Sequence, residues 1–148
     1  MTTELGKTFG ASLKYGKTQK PKVKFLYEDL SYKIIGILIE VHKELGPYAR
    51  EKQIADLLEK KLKEYPMTFK RELQLGDSGN IVDFIIENEI VLELKTVSYL
   101  IAEHFDQVKR YLHQTNLKLG ILVNFRDKRL HPKRVLNINN LRTSAELL

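Results

Sequence analysis

Three ionisable residues interrupt two apolar runs. Asp83 lies within Ile81-Val82-Asp83-Phe84-Ile85-Ile86, and Glu93 and Lys95 lie within Ile90-Val91-Leu92-Glu93-Leu94-Lys95. Taking an unpaired ion out of water costs several kcal/mol, so strands this oily need a reason to carry such charges. If the runs pair with Asp83 opposite Glu93, then 84 faces 92, 85 faces 91 and 86 faces 90, and Glu87-Asn88-Glu89 becomes the connecting loop. Asparagine tolerates the left-handed backbone that such loops contain. A tighter turn on Asn88-Glu89 would pair 83 with 94 and send the two carboxylates to opposite faces. On the shared-face register, carboxylates about 4 Å apart repel by roughly 4 kcal/mol at an effective dielectric of ~20, so a cation must stand close. Lys95 is one candidate, being two residues along the strand and on the same face as Glu93. A divalent metal is the other. Hard oxygen ligands, in a chain with no cysteine and no paired-histidine motif, favour Mg²⁺ or Mn²⁺ over Zn²⁺. Beside Lys95, such an ion could polarise a phosphodiester and lower the pKa of an attacking water. The alternative is a structural ion-pair network with no chemistry.

A Glu-x-Lys string alone says little, because Glu59-Lys60-Lys61 repeats it. The surroundings separate the two copies. Ile54, Leu57, Leu58 and Leu62 recur at helical spacing in a predicted helix from about 49 to 64, which puts Glu59 and Lys61 on a solvated face. An earlier helix is predicted over about 28–45, with Leu30, Ile34, Leu38, Val41 and Leu45 on one side and Gly46-Pro47 ending it. From Met67 the period becomes two, so Met67, Phe69, Arg71, Leu73 and Leu75 are expected on one face of a half-exposed strand. The two apolar runs follow as central strands covered on both sides. A helix over about 101–114 then presents Phe105, Val108 and Leu112, Leu119–Asn124 reads as another buried strand, and 135–138 as a short edge strand. This order predicts a layered α/β domain, a mixed sheet with helices on both faces.

Composition excludes more than it suggests. At 148 residues the chain suits one domain, taken as 25–148. No apolar stretch approaches the ~20 residues of a spanning helix and the first residues lack a signal-like apolar core, so the expectation is an intracellular, cytoplasmic protein without a membrane partner. The absence of cysteine is compatible with that setting. The net charge of +6 is concentrated in residues 1–24, where Lys7, Lys14, Lys17, Lys20, Lys22 and Lys24 stand against Glu4 alone. This segment is expected to be a flexible basic tail, able to contact phosphates or simply solubilising.

Five segments, in order, resemble the GxxExxR protein family, a group assigned to the PD-(D/E)XK nuclease superfamily. They are Ile35–Pro47, Glu51, Val82-Asp83-Phe84 with Val91–Lys95, His104–Leu112, and Leu119–Phe125. The resemblance implies a restriction-endonuclease-like core and a nuclease acting on nucleic acid, DNA rather than RNA. It further implies Mg²⁺, or Mn²⁺ in its place, held by Asp83, Glu93 and the backbone carbonyl of Leu94, with Glu40 of the first helix completing the site and Lys95 positioning or activating the water. Gln107 and Tyr111 match the Gln-x-x-x-Tyr helix motif of RecB-like nucleases, which orients metal ligands or nucleic acid. Tyr48 and Ile54 depart from the family, which usually has glycine at the first of these positions and an aromatic or arginine at the second. An inert nuclease-fold module that binds nucleic acid or protein is the alternative implied by those departures.

Overall fold

The computed structural model describes residues 27–137. The basic segment 1–24 and the last residues of the chain lie outside that range. Two helices come first, α1 (Glu28–Leu45) and α2 (Glu51–Glu64), followed by strands β1 (Phe69–Gln74), β2 (Ile81–Ile86) and β3 (Ile90–Lys95), helix α3 (Ala102–Thr115), and strands β4 (Leu119–Asn124) and β5 (Lys133–Leu136). The strands form one sheet in sequence order, with β3 and β4 parallel and all other pairs antiparallel. The predicted order of elements holds, and β5 begins two residues earlier than its apolar residues suggest.

Local chemistry explains the helices. In α1 the apolar positions Ile34, Ile37, Leu38 and Val41 are buried, acids occupy the first turn and His42 and Lys43 the last, as the helix dipole favours. Gly46, at φ +79°, and Pro47 stop it. At the start of α2 the Arg50 backbone N–H donates to Gln53 Oε1 at 2.9 Å, satisfying an orphan donor. The α1–α2 pair buries Ile34, Leu38, Ile54, Leu58 and Leu62 against one face of the sheet, with Phe84, Ile86, Leu92, Leu94, Ile121 and Val123. Val108, Tyr111 and Leu112 of α3 cover the other, over Val82, Ile85, Val91 and Leu122. The sheet therefore has helices on both faces, in the restriction-endonuclease-like arrangement.

Two expectations fail here. Met67 and Phe69 pack on the α1–α2 side, whereas Leu73 and Leu75 pack on the α3 side, so the predicted alternation breaks within β1. The break is at Glu72, whose φ of +53° is left-handed, a strained conformation for a residue with a side chain. Opposite it, β2 shows the same slip: Val82 packs with the α3 cluster and Phe84 with the other, although they are two residues apart. Asp83 is the residue at this dislocation. The second failure concerns Glu59 and Lys61, which do not form a solvated face. Lys61 is only 12% exposed and reaches Glu44 at 2.6 Å and Glu40 at 3.5 Å, while Glu59 accepts from Arg71 at 2.8 Å.

Candidate active site

The hairpin between β2 and β3 has the register that brings the acids together. Phe84 pairs with Leu92, Ile85 with Val91 and Ile86 with Ile90, leaving Glu87-Asn88-Glu89 as the loop, with Glu87 and Asn88 both at φ +56°. The ladder ends at Phe84 and Leu92, one step short of Asp83 and Glu93, and side chains take over from backbone there. Asp83 Oδ2 accepts the Leu94 N–H at 2.8 Å, and Glu93 Oε1 lies 3.4 Å from the Asp83 N–H. The N–H and C=O of one strand residue point the same way, so the Leu94 carbonyl faces the same gap. Lys95 Nζ stands 3.5 Å from Glu93 Oε2.

Burial makes this cluster electrostatically unusual. Glu93 is 4% exposed. Its loss of solvent, and secondarily the negative charge of Asp83, push its pKa up to about 8, against a smaller opposing pull from Lys95. Burial also raises Asp83, although the Leu94 N–H, Lys95 and a hydrogen bond with Glu93 offset part of the effect. Lys95 therefore does not neutralise the pair. A third carboxylate belongs to the same field: Glu51, at the first turn of α2, is raised by burial and then by Asp83. Glu51, Glu72, Asp83 and Leu94 together line a cavity of about 220 Å³.

Helix α3 roofs the acids. Tyr111, 3% exposed, has its hydroxyl pKa pushed up to about 12 by burial and by Glu93 and Asp83, against a smaller opposing effect of Gln107. Gln107 and Tyr111 are one helical turn apart, as their spacing predicts. His104, in the first turn of this helix, reaches back to its N-cap, its Nδ1 accepting the Ile101 N–H at 3.0 Å.

Glu40 is placed elsewhere. Its carboxylate accepts the Tyr65 hydroxyl at 2.6 Å and pairs with Lys61, and the Tyr65 hydrogen bond is the main cause of its lowered pKa. Glu51 is the helical acid in the field of Asp83 and Glu93; the sequence marked it as a family residue without giving it a role. Asn124 was missed altogether. It is 1% exposed, accepts the Val97 N–H at 3.1 Å and donates to the Val97 carbonyl at 2.8 Å. It thereby staples the chain leaving Lys95 to the end of β4. A polar residue ending an all-apolar buried strand was the available signal.

Asp83, Glu93 and the Leu94 carbonyl form an all-oxygen, net-negative donor set, the type that suits a hard cation. Among the described residues no three His, Asp or Glu side chains converge into a metal cage. No helix among the described residues is long and apolar enough to cross a membrane.

A sequence profile of the PD-(D/E)XK nuclease superfamily matches residues 28–135, a span that contains every residue of this cluster. Comparison with curated proteins finds no match.

Proposed function

Because this chain belongs to the PD-(D/E)XK nuclease superfamily, we propose that it is a divalent-metal-dependent nuclease hydrolysing phosphodiester bonds, in DNA more readily than in RNA. The segments that resemble the GxxExxR group support placing it there within the superfamily. Asp83, Glu93 and the Leu94 carbonyl would hold Mg²⁺, with Mn²⁺ as a substitute. When bound, the ion would supply Lewis-acid polarisation of the phosphate and acidify a water. The helical acid of the site is assigned to Glu51 in place of Glu40, whose carboxylate is committed to Tyr65 and Lys61.

The chain's own residues do the rest. The Lys95 ammonium, beside Glu93, is available to orient the attacking water and to stabilise charge developing on the phosphate. Tyr111 and Gln107 close the cluster from above and keep bulk water from Glu93, so the ionic interactions act in a low dielectric. Glu93 takes up a proton readily in the metal-free state and gives it up to a cation. The six lysines of residues 1–24 would add phosphate contacts, and the cysteine-free composition accords with an intracellular, cytoplasmic setting.

The observation that carries this reading is a buried acidic pair that its own lysine leaves undercompensated. The test is cleavage of DNA and RNA with Mg²⁺, Mn²⁺ or chelator, alongside Mn²⁺ titration calorimetry. Asp83→Asn is expected to lower the cleavage rate roughly 100-fold or more and to weaken Mn²⁺ binding. Undiminished cleavage by the variant would remove the assignment. Asp83-dependent Mn²⁺ binding without cleavage of any substrate would leave an inert module.

A further inference from the structure

Two residues beyond the acidic cluster suggest how the substrate is held. Tyr48, in the connection between α1 and α2, is 82% exposed, and the Arg126 guanidinium carbon lies 5.7 Å from the centre of its ring. Arg126 Nη2 also donates to the Thr96 carbonyl at 3.3 Å, and the Arg126 backbone N–H donates to Asn124 Oδ1 at 3.2 Å. Thr96 follows Lys95 directly, and Asn124 is the strand partner of Lys95. Tyr48 also stands three residues before Glu51. The ring therefore stands between the start of α2, which carries Glu51, and the segment that follows Lys95, with a cation on one side and the rest open to solvent.

An exposed aromatic ring next to a guanidinium, on segments that flank the proposed centre, has the properties of a base-stacking surface. Its face accepts any nucleobase, and the arginine adds attraction for the backbone. Paired bases inside a duplex present only their edges in the grooves, so such a ring selects bases that are already unstacked. We propose that Tyr48, held by Arg126, stacks on an unpaired base flanking the scissile phosphate, so that the substrate is single-stranded or locally unpaired nucleic acid. This rests on the nuclease reading and adds a strand preference to it.

The full-length protein gives the test, by fluorescence anisotropy with labelled oligo-dT, oligo-U and a blunt duplex at one salt concentration. Tyr48→Ala is expected to weaken single-strand binding by about 5-fold or more, with Tyr48→Phe retaining it and duplex binding little changed. Tyr32→Ala is the matched control. That tyrosine is 80% exposed but lies roughly 20 Å back along α1 by helical rise, and its loss should change nothing. A Tyr48 dependence with oligo-dT, oligo-U or both supports the proposal and identifies the sugar tolerated. No loss in Tyr48→Ala, or an equal loss on single strand and duplex, overturns it. If the duplex is still cut in an Asp83-dependent way while Tyr48→Ala is silent, the stacking alone falls. If the wild type neither binds nor cuts any nucleic acid, the nuclease reading falls and takes this with it.

Discussion

The chain contains Glu-x-Lys twice, and the two copies sit in opposite electrostatic states. Around Glu59 and Lys61 four acids face a cation or hydroxyl donor: Glu40 has Tyr65 and Lys61, Glu44 has Lys61, and Asp56 and Glu59 share Arg71 at 2.9 and 2.8 Å. The pKa values of Glu40, Asp56 and Glu59 accordingly fall, hydrogen bonding being the largest cause in each. Around Glu93 and Lys95 they rise, because burial outweighs one lysine. The first network is satisfied and joins α1, α2 and β1. The second is held under electrostatic tension by the surrounding fold, which is the condition in which a cation or a charged substrate finds favourable work to do. The Glu and Lys have the same spacing in both copies, and what distinguishes them is the element that carries them, a helix in one and a strand in the other, together with burial and partners.

The sharpest way to break this comparison is to remove each lysine in turn. Lys95→Ala should cut the rate of phosphodiester cleavage roughly 100-fold or more, whereas Lys61→Ala should leave it nearly unchanged and lower the melting temperature only slightly, because its partners Glu40 and Glu44 are solvent-exposed. Single-turnover cleavage rates and thermal melts of both variants decide it. Similar kinetic losses from the two would mean that the satisfied network also serves the chemistry.

A second contrast lies in the pH dependence of the metal-free protein. Glu93 has a folded pKa of about 8 against an ordinary value of 4.5, so between those values the native state holds a proton that the unfolded chain has released. Stability from this group is complete below pH 4.5 and is lost as pH rises through 8. Asp83 and Glu51 are raised as well and push in the same direction. Glu40 is lowered, and its contribution is present above 4.5 and lost on acidification. Glu93→Gln should therefore melt several degrees higher than wild type in chelator at pH 8 and lose that advantage near pH 5. Glu40→Gln should flatten only the acid limb. Melts across this range in chelator are the measurement, and a Glu93→Gln advantage independent of pH would contradict the raised pKa.

The sequence left two hairpin registers open, a three-residue loop that keeps both acids on one face and a two-residue turn that separates them, and the structure has the three-residue loop. Helix limits were legible where Gly46-Pro47 and Tyr65-Pro66 stop them. Glu72 was not, since nothing in an alternating run announces a left-handed residue, and with it went the face of Leu73 and Leu75. Glu51 and Glu40 could not be ranked from spacing either. Both are helical acids, and what separates them is a long-range matter: Glu40 is met by Tyr65 across 25 residues of chain, while Glu51 reaches Asp83 only because α2 starts over the gap between β2 and β3.

The last contrast concerns the roof of the gap. Gly120 in β4 lies under α3, and a Cβ there would come within 2.5 Å of Val108 Cγ1, a buried branched side chain with little freedom to retreat. Gly120→Ala should lift α3 locally and cost about 1–3 kcal/mol, as overpacking does. Val108 belongs to the same helix as Gln107 and Tyr111, so the shift should also lower the cleavage rate, an effect that Lys61→Ala, acting on the other side of the sheet, should lack. Adding Val108→Ala restores the space and should recover part of both losses, giving a non-additive pair. Melting temperature and cleavage rate of the two single variants and the double variant are the readouts. Strict additivity would show that α3 does not ride on Gly120, and that the roof over Glu93 is set by some other contact.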